Sequence, residues 1–341
     1  MRSGFRTAAV LLGAMAAFSA PQLTAQTHWD VTNTLHIGGD GAWDYVTADP
    51  TTHRLFVTRS THTQVIDEQT GKVLGDIPGQ IRSHGVAIVP RLNRGFITDG
   101  GGSGAIVVFD LTTYAVLGKL ATMPDSDGII YDARQDRILA VSGDGNALMV
   151  IKPDIDPNGK IDTPIQLGGA PEFLASDGSG KVYVNLADKN TVAEVDITTR
   201  KVLARWPVAP GGQPTGMAID PAQHLIFIGC RKPQMLVVMN TDTGKVEASL
   251  PIGAGVDATG FSNGQAFAST GDGALTVASK KNGTWVVEQT VKTPAAARTM
   301  TIDSSSHNIF MPTAEMNAAE PGGGRPRPKA GTFMIVVVSP K

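Results

Sequence analysis

The chain of 341 residues has a single cysteine, Cys230, so no disulfide can form within it and its stability must come from packing. It also lacks a dominant charge: the formal net charge is −2 and charged residues make up 18%. That argues against a dedicated nucleic-acid binder, which usually carries a strongly basic face. Beyond the first 25 residues no segment is long and apolar enough to cross a bilayer, for which about 20 residues are needed. No stretch of ten or more residues there shows the 3.6-residue period of an amphipathic helix. The common metal signatures C-x-x-C and H-E-x-x-H are missing as well. What is plentiful is glycine, 39 residues, and proline, 21, as expected of a turn-rich globular chain.

The first 25 residues read as a signal peptide. Arg2 and Arg6 precede the apolar stretch "TAAVLLGAMAAF", and "LTA" leads into Gln26 with Ala25 as the last residue removed. Leu23, two residues before Ala25, is larger than an ideal cleavage site prefers. The expected domains are a signal over 1–25 and one folded unit over 26–341, placing the mature protein in the periplasm or outside the cell. No cysteine lies near the exit for lipid attachment. The mature chain is expected to be a monomer.

An internal repeat organises the rest. Seven segments open with "DYVTADP", "HGVAIVP", "DGIIYDA", "EFLASDG", "TGMAIDP", "DATGFSN" and "RTMTIDS", starting at positions 44, 84, 127, 172, 215, 257 and 298. A second apolar run follows each, as "LFVT", "FITD", "LAVS", "YVNL", "FIGC", "FAST" and "FMPT". Third and fourth runs then end in turns such as "DEQTGK" and "NTDTGK". Four short Val- and Ile-rich strands every 40-odd residues predict an all-β, seven-bladed β-propeller of four-stranded antiparallel blades. The seventh repeat stops after its third strand, and a spare strand, "WDVTNTLHI", precedes the first repeat. Pairing the two closes the ring and leaves no open sheet edge at the seam.

The repeats resemble the YVTN-type β-propeller repeats of the YncE-like family of extracytoplasmic bacterial proteins. The resemblance is carried by "PTGMAIDPAQHLIFIG" (214–229), "HGVAIVPRLNRGFIT" (84–98) and the turns "DEQTGKVL" (67–74) and "NTDTGKVE" (240–247), and it extends from about residue 29 to the end. It implies the fold and repeat type, and a non-catalytic role in binding a ligand or protein partner. Recurring Gly-His and Trp-Asp pairs of WD40 chains are missing. The Trp that follows the "TGK" turn in quinone-dependent dehydrogenases is replaced by Gly75 and Ala248.

Antiparallel strand order places the start of each first strand on one face, around the central channel. The opening residues Asp44, His84, Asp127, Glu172, Thr215, Asp257 and Arg298 are therefore expected to ring its mouth, six of the seven being ionisable. A solvated rim would account for such charges. A ligand site would use them to bind an unknown small molecule or protein, and crowded carboxylates would raise one another's pKa. The set suits a divalent cation. As an alternative it suits a lactonase-like hydrolase, with His84 as base and Arg298 stabilising an oxyanion.

On the same face a long Pro/Gly-rich insertion, 314–331, carries Arg325, Arg327 and Lys329, which could turn toward the acidic ring or an anionic ligand. On the opposite face "DIDPNGKID" (154–162) has the spacing of a structural calcium loop. Asp154, Asp156, Asn158, Lys160 and Asp162 would be its ligands. An elongated turn explains the same residues. His53, His224 and His307 share one position between first and second strands, which suggests a role in the turn. His62 lies on the face of the ring, and Cys230 reads as a small packed hydrophobe.

Overall fold

A computed structural model of the chain describes residues 27–318 and 326–341 together with Met1. The proposed signal over 1–25, apart from Met1, and Arg325 lie outside the described residues. Seven four-stranded antiparallel sheets make up the fold, each running in sequence order from first to fourth strand except at the seam. Blade 1 comprises Val46–Asp49, Arg54–Thr58, His62–Asp67 and Val73–Pro78, and blades 2 to 6 repeat the plan. No helix among the described residues is long and apolar enough to cross a membrane.

The seam is built as the sequence predicts. Trp29–His36 pairs antiparallel with Met334–Pro340, Trp29 opposite Pro340 and His36 opposite Met334. The closing strand is also tied to blade 6. The Trp29 indole donates to Gln265 Oε1 at 3.0 Å and meets the Phe267 ring edge-on at 4.8 Å. The chain leaving this strand is then held by Arg59, a buried guanidinium that donates to the carbonyls of Asp40 and Ala42 and lies 3.7 Å over the Phe333 ring. Burial alone pulls Arg59 down to about 10, since no carboxylate touches it.

Apolar side chains fill the spaces between blades. One cluster joins Phe56 and Val65 of blade 1 to Val86, Ile97 and Phe109 of blade 2, and another joins Phe267 of blade 6 to Ile309 and Val336 of blade 7. The recurring second strand supplies the largest of these groups: Phe56, Phe96, Tyr183, Phe227, Phe267 and Phe310 are all buried. Each is worth about 1.5–3 kcal/mol through removal from water.

Two residues after this aromatic, four blades carry a small polar residue that joins neighbouring blades. Thr58 Oγ1 donates to the carbonyls of Tyr45 and His84, and Thr98 Oγ1 to those of Gly85 and Asp127. Asn185 Nδ2 reaches the carbonyls of Thr215 and Gly216, and Ser269 Oγ those of Ala258 and Arg298. A single side chain thus satisfies buried backbone carbonyls next to the mouth of the channel, which would otherwise cost stability. In these four blades the position is Thr, Asn or Ser for this reason.

His53, His224 and His307 have φ of 56°, 56° and 60°. They occupy the left-handed region at a shared turn, which bears out their reading as turn residues.

Candidate functional site at the channel mouth

The ring residues are aimed by local irregularities in the first strands. Pairing with the second strand slips between Ser83 and Val86, Ser126 and Ile129, Pro171 and Leu174, Pro214 and Met217, and Val256 and Ala258. His84, Asp127, Glu172, Thr215 and Asp257 sit within these five bulges, which re-aim side chains that regular pleating would alternate. Gly85, Gly128 and Gly216 follow three of them, because the next blade is too close for a side chain. A Cβ on Gly216 would stand 2.7 Å from the Thr259 nitrogen, and one on Gly128 2.8 Å from the Glu172 carbonyl.

The ionisable residues meet in two groups. In blades 1 to 3, His84 Nδ1 lies 2.6 Å from Asp44 Oδ2 and 3.4 Å from Asp127 Oδ1. Donor atoms of all three residues lie within 4.8 Å of one another. Asp127 Oδ1 is shielded from solvent and has no hydrogen-bond partner, and the same holds for His84 Nε2. That nitrogen faces Gly100, where a Cβ would be only 3.0 Å away. In blades 4 to 7, Asp257 accepts from Arg298 Nε at 2.5 Å and from Arg231. Arg231 also lies 4.0 Å from Glu172, and Arg298 lies 4.0 Å from Asp44, which links the two groups. Thr215 is buried and donates to the Gln213 carbonyl, so it takes no part in the charged cluster.

Burial is the main influence on the carboxylic acids. It pushes Asp127 well above the ordinary carboxylate range, with His84 opposing and Asp44, Glu172 and Asp257 adding to the rise. Asp44 is raised by burial against its hydrogen bond from His84, and Glu172 by burial against the charge of Arg231. For His84, burial disfavours the imidazolium. The hydrogen bond to Asp44 and the charges of Asp127 and Asp44 outweigh that effect, so its pKa lies above the usual value. The cluster keeps protons that separated groups would release.

A floor lies under the ring. Tyr45 and Phe173, from blades 1 and 4, pack with ring centroids 5.1 Å apart. Burial first, then the four carboxylates, raise the Tyr45 hydroxyl well above 10, which places it within the field of the ring. Both rings, with Asp257, also line a cavity of about 320 Å³ whose walls include Val86, Ile129, Met217 and Met300. The mouth is therefore a shallow polar cup with an aromatic base.

Of the seven residues expected at the mouth, six approach one another in the two groups and Thr215 does not, while Arg231, Tyr45 and Phe173 were not anticipated. Arg231 had a signal: it ends a second strand, whose loop opens on the mouth face, and few blades carry a charge there. The other predicted groups do not join the cup. Lys329 pairs with Glu315 at 3.0 Å, and the flanks of the insertion bind each other, with Asn317 donating to the Arg327 carbonyl. In the 154–162 loop the Asp154, Asp156 and Asp162 carboxylates do not gather at one point; among the described residues Asp44, His84 and Asp127 are the group that does. Asp156 instead caps its own turn, accepting from the Asn158 nitrogen at 2.9 Å, and Asp154, Lys160 and Asp162 are exposed. Cys230 is fully buried, and burial pushes its thiol up to about 12, consistent with packing.

No protein-family model and no curated protein matches the sequence. Solved structures do share the fold. A chain of hydrazine synthase from Kuenenia stuttgartiensis superposes with a TM-score of 0.69 at 12% identity, covering 86% of this chain and 96% of that one. The WD40 β-propeller domain of Doa1 superposes with a TM-score of 0.71 at 15% identity, covering 91% and 97%. The chain is thus a seven-bladed β-propeller of WD40-like architecture, without the Gly-His and Trp-Asp repeats.

Proposed function

We propose that this chain is an exported, YncE-like propeller that binds a ligand or protein partner in the charged cup at the mouth of its channel. One observation carries this reading: the starts of the first strands, bulged at His84, Asp127, Glu172 and Asp257, bring these residues together with Asp44 and Arg298 over an aromatic pair. Burying so many charges lowers stability unless they are fully paired, and Asp127 Oδ1 has only the His84 imidazole at 3.4 Å, with no hydrogen bond. Sites that sacrifice stability in this way are characteristic of function. The cup suits a small polar molecule, or a polar side chain projecting from a protein. It suits a hydrolase less well, because one nitrogen of His84 is engaged by Asp44 and the other is buried beside Gly100.

Immobilised protein would be used to capture ligands from a periplasmic extract, alongside a Glu172→Ala/Arg231→Ala variant. Wild type should retain a ligand or partner that the variant loses, with both equally folded by circular dichroism. Identical capture by both would show that the ring is only a solvated rim. Export is tested separately: the mature protein should fractionate outside the cytoplasm with Gln26 at its amino terminus.

A further inference from the structure

We propose that the Asp44–His84–Asp127 half of the mouth binds one first-row divalent cation of the Zn²⁺ or Mn²⁺ type. The proposal rests on the reading of the mouth as a binding site and names what one half of it holds.

The donor set comes first. Two carboxylates and one imidazole are a combination that suits zinc or manganese. Calcium prefers six to eight oxygen ligands, so an imidazole at the centre of the group argues against it. Metal–ligand bonds of about 2.0–2.2 Å put neighbouring donors roughly 3–3.5 Å apart. Here the imidazole Nδ1 is 2.6 Å from one carboxylate and 3.4 Å from the other, and all three donors lie within 4.8 Å, close to the spacing of a coordination shell.

Two further observations separate this group from an ordinary acidic cluster. Asp127 Oδ1 is shielded from solvent and unpartnered although it points to the imidazole. Tyr45, only 8% exposed, sits in the field of the carboxylates and packs against Phe173 across the axis. An ion between the three side chains would give Asp127 the partner it lacks. It would replace the proton that joins His84 to Asp44, which would pass to solvent, and its two charges would balance the two carboxylates. The remaining coordination positions would face the cup, opposite Arg231 and Arg298.

The test uses the full chain, stripped with chelator and dialysed against Zn²⁺, Mn²⁺ or Ca²⁺, with bound metal measured by elemental analysis. Co²⁺ serves as an optical probe of the ligand set. One equivalent of Zn²⁺ or Mn²⁺ should bind per chain. Asp44→Asn and Asp127→Asn should each weaken it by at least about 100-fold, the upper range for loss of even an outer-shell partner. Asp156→Asn, in the distant loop, should bind as wild type does. Absence of stoichiometric metal would overturn the proposal, as would binding that survives both ring substitutions or one abolished by Asp156→Asn. Repeating the capture experiment in chelator separates the two readings. Capture that persists without metal and is still lost on Glu172→Ala/Arg231→Ala leaves the mouth as a binding site and removes only the metal. Metal bound with no ligand captured does the reverse.

Discussion

The two halves of the mouth handle buried charge in opposite ways. In blades 4 to 7 the acids are matched: Asp257 lies between two guanidinium groups, and Glu172 is within 4.0 Å of one of them. In blades 1 to 3 two acids share one imidazole, and the buried oxygen of Asp127 beside it makes no hydrogen bond. The blade 4 to 7 half resembles a structural ion pair, whereas the other half is the one we propose to hold a cation. The difference shows that the ring, although continuous in sequence position, is two devices joined where Arg298 approaches Asp44.

Three perturbations test this contrast, the most severe first. Deleting residues 27–37 removes the strand that closes blade 7, exposes the edge of Met334–Pro340 and strips away Trp29. It also loosens the junction of the halves, where Thr299 Oγ1 donates to the Asp44 carbonyl at 2.7 Å. The truncated chain should melt many degrees earlier by calorimetry, and an unchanged transition would refute the account of the seam. Asp257→Ala should come next, costing about 2–4 kcal/mol in denaturant titration, at or below the range for breaking a buried pair because both arginines are partly solvated. Asp127→Asn, assayed in chelator, should change stability by less than about 1 kcal/mol or raise it, since it removes a buried carboxylate whose pairing is incomplete. If the two substitutions destabilised equally, the halves would not be distinct.

Repetition explains why so much was legible in the sequence. Seven copies of a four-strand repeat, six with an aromatic in the second strand, leave little choice of fold, and the spare strand at 29 implies its own partner. Ring membership followed from strand order alone. Pairing within the ring did not, because a one-residue slip in an inner strand turns its side chains to the other face, and bulges at His84, Asp127 and Asp257 leave no unambiguous mark in sequence. For the same reason Tyr45 and Phe173 read as ordinary core residues until their positions across the axis were known. The 154–162 loop shows the converse. Its spacing suits calcium, but Asp156 is occupied in shaping the backbone and its neighbours point to water.

The packed pair of Tyr45 and Phe173 acts as a brace across the axis, joining blade 1 to blade 4. Because both rings line the apolar cavity together with Asp257, a substitution at either position would be felt in the wet chamber and the greasy one at once.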